Sequence, residues 1–332
     1  MEKLSPKERL QTIIAGEKPD RMAASFWRHF FHMENNAEGT AEAMLYFQKK
    51  FNWDFMKINP RADYHIEGWG FKHKWSKSEF EKHQKLVFPI QSIDDWAKIQ
   101  PLDNASPALA EHLKMVHLIR KGSIKELPLL MTVFNPLGIA GRMVPDKMML
   151  VEHLRSAPEK VLPALEAITI TFEKFTEELR NAGADGLFFA TLQWASSDYI
   201  TWDEYQKYGV PYDLRIMDKI GEDALNILHV CYSNNYLKEL SEIDYKAQMY
   251  NWDADHPTNI PLDKAVEAFP NKVIVGGVDH EGWLLQSSAD EVGYKIDMLK
   301  EKFDPSRVIL APGCAIPPEV PMENLQIIRE KL

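Results

Sequence analysis

Short runs of consecutive apolar residues recur along the chain, separated by longer stretches in which apolar positions return every three or four residues. The short runs read as strands: Met22–Arg28, Phe55–Ile58, Leu129–Val133, Gly186–Ala190, Ala224–His229, Ala247–Asn251, Val273–Val278 and Val308–Ala311. They are continuous rather than alternating, the pattern of strands covered on both faces of a parallel sheet. The stretches between them read as helices. In 158–182 the apolar residues Leu162, Leu165, Ile168, Phe172, Phe175 and Leu179 fall on one face. The spacing predicts further helices over Asp203–Ile220, Ser288–Phe303 and Pro321–Leu332. Ser5-Pro6-Lys7-Glu8 has the composition of a helix start, with a capping serine, proline at the first helical position and glutamate completing a capping box. The interval from Pro60 to Leu129 is too long for a plain loop and predicts extra helices or a hairpin.

Alternating strands and helices leave a doubly wound sheet or a (β/α)8 barrel. Eight candidate strands favour the barrel, and no G-x-G-x-x-G follows the first strand to favour the other form. The fold expected is α/β, a (β/α)8 TIM barrel, one domain over residues 1–332 with an insertion after strand two. In such a fold the carboxyl ends of the strands and the loops after them carry the chemistry.

The 332 residues are 45% hydrophobic and 27% charged, a composition that excludes a disordered or collagen-like chain. The formal net charge of −10 lowers the expectation of a nucleic-acid partner, whose phosphates call for surplus positive charge. No apolar run has the ~20 residues needed to span a bilayer, so no membrane partner is expected. The charged start lacks the apolar core of a signal peptide. Two cysteines make no disulfide framework, and a cytoplasmic location is expected.

Both cysteines fall at strand ends. His229-Val-Cys231 closes the fifth candidate strand, and Cys314 lies in Pro312-Gly-Cys314 just after the eighth. Imidazole and thiolate are ligands that zinc takes readily, and three protein ligands with one open position is the arrangement of a catalytic zinc site. The alternatives are two buried cysteines acting as small apolar residues, or a transient disulfide.

The chain resembles the uroporphyrinogen decarboxylase superfamily over nearly its whole length. The resemblance is carried by Lys7-Glu-Arg-Leu, Ala15-Gly-Glu-Lys-Pro-Asp20-Arg21, Ser25-Phe-Trp-Arg28, Phe134-Asn-Pro136-Leu-Gly, Gly183-Ala-Asp185-Gly, Gln193-Trp194-Ala, Gly276-Gly-Val-Asp279, and Pro312-Gly-Cys314 through Asn324. It implies a distorted (β/α)8 barrel and a homodimer. True decarboxylases of the family carry F-M-R-Q-A-G-R, whose arginines bind porphyrinogen carboxylates. Arg28 matches the first arginine, but His32 stands at the second. Their strand-two aspartate falls at Asn59 or Arg61 with Asp63 nearby, their tyrosine at about Arg142, and their late histidine at Cys314. The methylcobamide:thiol methyltransferase branch has His-x-Cys and, some eighty residues on, a cysteine in a Gly-Cys turn. His229, Cys231 and Cys314 match it, while Tyr232 stands where that branch has glycine.

The resemblance implies a Zn2+ ion on His229, Cys231 and Cys314, a small thiol as substrate, and a corrinoid held by a separate partner protein as methyl donor. Uroporphyrinogen decarboxylation without a cofactor is the second expectation. A non-catalytic tetrapyrrole- or corrinoid-binding barrel is the third. Among polar strand-end residues, Arg28 is a candidate anion anchor, with Arg61 and Arg142 behind it. Gln193 and Trp194 are candidates to line the pocket. Asp253 and His256, or Asp279 and His280, could support the metal or bind substrate, with a helix-capping role as the alternative for Asp279. The Lys-rich stretch from Phe71 to Lys85 is expected to be solvated surface.

Overall fold

The computed structural model describes residues 3–332. Among the described residues there are nine strands: β1 (Met56–Ile58), β2 (Lys72–Lys74), β3 (Gln84–Val87), β4 (Leu129–Phe134), β5 (Gly186–Ala190), β6 (Ile227–His229), β7 (Met249–Asn251), β8 (Val273–Val278) and β9 (Val308–Pro312). Seven form one sheet in the order β1-β4-β5-β6-β7-β8-β9, with every neighbouring pair parallel. Helices connect these strands, as parallel pairing requires. The two edges of the sheet are drawn together by the segment around Ala24. Ala24 forms a parallel bridge with Leu310 of β9, Leu310 N–H donates to Ala23 O and Ser25 N–H to Leu310 O. On its other side, Asp54 N–H donates to Ala24 O, and Ser25 Oγ–H donates to Phe55 O at the start of β1.

Continuous apolar strands are accounted for by two cores. Leu130, Phe188, Ile227, Met249, Val275 and Ile309 join Trp27 and Phe55 in a cluster inside the curled sheet, sealed by Leu10 and Ile13 of the helix Pro6–Ile14. The intervening residues, among them Met131, Phe189, Leu228, Tyr250, Ile274 and Leu310, pack outward against the helices. Successive side chains point to opposite faces, and both faces here are dry.

Most expected elements are present. The helix Pro158–Ala182 and the Ser5 capping box stand as read from the sequence. The expected strand Met22–Arg28 is reduced to the bridge at Ala24. The expected helix 203–220 is two helices, Trp202–Tyr208 and Val210–Met217, broken at Gly209, which is followed by Val210-Pro211. The interval after β1 holds both alternatives: helices, and the antiparallel β2–β3 hairpin. Part of the Lys-rich stretch is not plain surface. Phe80 and Lys82 turn toward a cavity at the strand ends, and Lys85 Nζ pairs with the buried Asp63 at 2.9 Å. Among the described residues no helix is long and apolar enough to cross a membrane.

Candidate metal centre

A cavity of about 650 Å³ opens at the carboxyl ends of the strands, and His229, Cys231 and Cys314 meet in its wall. Their ligand atoms lie within 4.8 Å of one another, the one such group of His, Cys, Asp or Glu side chains among the described residues. The Sγ atoms of Cys231 and Cys314 are 3.9 Å apart. A disulfide needs about 2.05 Å, whereas two thiolates on one tetrahedral zinc, each at about 2.3 Å, stand about 3.8 Å apart. The donor set and spacing therefore fit zinc.

His229 ends β6 and Cys231 follows it by two residues, so both side chains leave the strand in the same direction. The His229 ring is fixed from behind. Nδ1 lies 2.6 Å from Asn251 Oδ1, and the amide group of Asn251 donates to Val275 O and Pro312 O at 2.7 and 3.0 Å. Those two donations orient the amide, so its oxygen must accept from His229 Nδ1–H. Nε2 is left on the side of Cys314. Asn251 is a support that reading the sequence missed, because an asparagine at a strand end signals a turn.

The two thiols share their surroundings unequally. The hydrogen bond from Cys231, then His229 and the nearby Lys57 ammonium, hold the Cys314 thiol well below its usual range despite burial. Donating that bond, together with burial, holds Cys231 well above it. Lys57 projects from β1 into the interior, with Nζ 4.6 Å from the centre of the Phe188 ring and 5.6 Å from that of Trp27. Its single hydrogen-bond partner among the described residues is Asn59 Oδ1. Burial pulls its pKa down to about 8, opposed by the two cysteines. A lysine within the apolar run Phe55–Ile58 was the available signal.

Tyr232 follows Cys231 with φ +70°, a left-handed conformation that glycine adopts without strain. This is the position where the resemblance led to an expectation of glycine. The ring is half exposed and lies in the cavity wall, with Lys147 Nζ 5.6 Å from its centre.

The remaining candidates divide. Asp253, His256, His280 and Arg142 line the cavity, and Arg142 lies 3.5 Å from Asp63. Arg28 does not line it. Its guanidinium is buried, pairs with Glu79 at 2.6 Å and lies over the Phe30 ring. Arg61 is likewise held by Glu67 and Glu111 at 2.7 and 2.9 Å. Gln193 and Trp194 are buried in packing away from the cavity. Asp279 turns back to accept from Gly282 N–H at 2.8 Å in the turn before the helix Trp283–Gln286, whose N-cap is Gly282 rather than Asp279. His32 is exposed.

The chain matches the model of the family described as uroporphyrinogen decarboxylase (URO-D) over residues 6–331. Two similar proteins are methylcobamide:CoM methyltransferases MtbA. That of Methanosarcina acetivorans is 23% identical over 343 residues, covering 98% of this chain and 97% of the relative. That of Methanosarcina mazei is 24% identical over 344 residues, with the same coverage. Among solved structures, a methyltransferase from Methanosarcina mazei superposes with a TM-score of 0.78 at 17% identity, covering 99% of this chain and 98% of that one.

Proposed function

The chain belongs to the uroporphyrinogen decarboxylase family, and from that premise we propose that it is a zinc-dependent methyltransferase moving a methyl group from a methylcobamide to a small thiol. The observation that carries the reading is the His229–Cys231–Cys314 group, with a 3.9 Å sulfur separation, in the wall of an open cavity. The MtbA relatives, named for methylcobamide and CoM, support it from outside the structure. The fold that goes with this reading is a single-domain (β/α)8 barrel in which the segment around Ala24 is the first strand, paired to β9 and reaching β1.

His229, Cys231 and Cys314 would hold the ion, and bound zinc would supply the Lewis acidity that keeps a substrate thiol deprotonated at neutral pH. Asn251 would hold the His229 ring by its Nδ1 side and leave Nε2 to the ion. Lys57 lies close enough to offset part of the thiolates' negative charge. Trp27, Phe188, Leu192 and Ile316 give the cavity apolar walls that limit water around a reacting sulfur. A cobamide is too large for a space of about 650 Å³. In this reading its corrin stays at the mouth, carried by a separate corrinoid protein, and only the methyl group reaches the sulfur. The sulfur lone pair forms the new S–C bond as the methyl group leaves its carrier without the bonding electrons.

The first test is elemental analysis of wild type beside Cys314→Ala, followed by a methylcobalamin assay with 2-mercaptoethanol. About one zinc per chain, lost in the variant together with methyl transfer, is the expected result. Unchanged methyl transfer by metal-free protein overturns the zinc reading. Decarboxylation of uroporphyrinogen without methyl transfer would replace the proposal with the activity that gives the family its name.

A further inference from the structure

We infer that His29, held by Glu34, is a further catalytic residue, the base that takes the proton from the thiol substrate. The inference rests on the methyltransferase reading of the cavity. His29 lines that cavity, its ring stacked on Phe31 with centroids 5.0 Å apart and planes 11° from parallel. It follows Trp27, whose O accepts from Ile316 N–H at 3.0 Å, and Trp27, His29, Cys314 and Ile316 all line the same space.

The pairing behind the ring decides its chemistry. His29 Nδ1 is 2.8 Å from Glu34 Oε1, and the same oxygen accepts from Phe30 N–H at 2.7 Å. Glu34 is buried, and His29 is its one ionic partner among the described residues. Arg61 reaches only its backbone carbonyl, and its second oxygen has no hydrogen-bond partner among the described residues. The imidazole is thus the carboxylate's hydrogen-bonded side-chain partner, while the carboxylate's charge also reaches Arg28, Lys57 and His83. Nδ1 carries the hydrogen, and the Nε2 lone pair is free to accept one.

A neutral amide fixes His229, which suits a ring that must stay neutral to bind a metal. A carboxylate fixes His29, which favours a ring that becomes positive on taking a proton. His29 is outside the group whose ligand atoms lie within 4.8 Å, so it shares the cavity with the proposed ligands without being one of them. In the step assigned to it, the substrate S–H bond breaks and its electron pair stays on sulfur. The proton forms a bond to Nε2, the imidazolium is balanced by Glu34, and the proton then passes to water at the cavity mouth.

The test uses zinc-loaded wild type, His29→Ala, His29→Gln and Glu34→Gln. With 15N-labelled histidine, NMR should find His29 as the Nδ1–H tautomer and show its Nε2 resonance moving when 2-mercaptoethanol is added. Glu34→Gln should alter the tautomer balance. In methyl transfer from methylcobalamin, both His29 variants should lose about 10²–10⁴-fold in kcat, with KM and zinc content unchanged. Added imidazole should restore part of the rate in His29→Ala and none in wild type. Unchanged kcat, loss of zinc from both His29 variants, or a wild-type Nε2 resonance indifferent to the thiol overturns the inference. Should zinc-loaded wild type transfer no methyl group, the methyltransferase reading falls, and the thiol-dependent shift alone then decides whether His29 meets the thiol.

Discussion

Asn251 makes three hydrogen bonds with one side chain, one to the His229 ring and two to backbone carbonyls on either side of it. Replacing it with leucine keeps the bulk but leaves His229 Nδ1–H buried without an acceptor, at a cost of about 1–3 kcal/mol. The ring would no longer be held in one tautomer. The expected outcome for Asn251→Leu is zinc affinity reduced about 10–100-fold, read by titration against a competing chelator, with the fold intact by circular dichroism. The three proposed ligands were legible in the sequence because cysteine is scarce here and both copies fall at strand ends. The groups that tune them were not. Asn251 acts on His229 across 22 residues and Lys57 lies against a ring of another strand, and no local pattern records such pairings; Glu34 is only five residues from His29, yet that spacing marks no element in which the two would meet. Arg28 shows the converse. Its position suggested an anion anchor, yet Glu79, contributed by the β2–β3 hairpin, neutralises it.

Elements matter here through the turns that end them. A Cβ built on Gly313 would sit 2.7 Å from Asp253 Cα, so the turn after β9 and the loop after β7 touch at backbone distance. Gly313→Ala must push them apart and carry Cys314 with it. The expected result is weakened zinc retention with secondary structure unchanged; full zinc occupancy at wild-type affinity would show that the turn adapts. A second prediction belongs to the helix Val210–Met217. Its Asp213 is buried, accepts from Tyr205 and Tyr245 hydroxyls at 2.6 and 3.0 Å, and is pushed by burial up to about 7. The folded state therefore holds this proton more tightly than the unfolded chain does. Its contribution is most favourable below the ordinary carboxyl range and is lost as pH rises from about 4 toward 7. Asp213→Asn should flatten the fall in melting temperature across that interval. An equal slope in both proteins would assign the dependence elsewhere. That this helix would be separate from the one before it was harder to read, since apolar spacing runs through Gly209 almost unbroken.

At the scale of the whole molecule, the proposed barrel depends on how its two edges meet. The alternation of strands and helices was plain in the sequence because the strands of the seven-stranded sheet are mostly apolar and buried on both faces. The expected first strand was harder to place, because within it only Ala24 forms a bridge, to β9, and one backbone bond runs toward β1. Side chains supply what the ladder lacks. The buried Asp54 carboxylate accepts from Ala24 N–H at 2.8 Å, from Arg9 at 2.7 Å, and from Arg21 at 2.9 and 2.8 Å. One carboxylate thus ties the first helix, the closing segment and the start of β1 together. Asp54→Ala would leave Arg9 buried with Asp20 as its remaining acid. Breaking a buried pair from one side costs about 3–5 kcal/mol, and the surviving Asp20 places the expectation at the lower end. Urea denaturation should show the midpoint falling with an unchanged slope. The same closing segment continues into Trp27 and His29, and Trp27 O holds Ile316 beside Cys314. Loosening the closure should therefore lower zinc retention as well as stability, although Asp54 touches no ligand. If stability falls while zinc affinity stays at the wild-type value, the site is held by β6, β7 and β9 alone and does not depend on the closing segment.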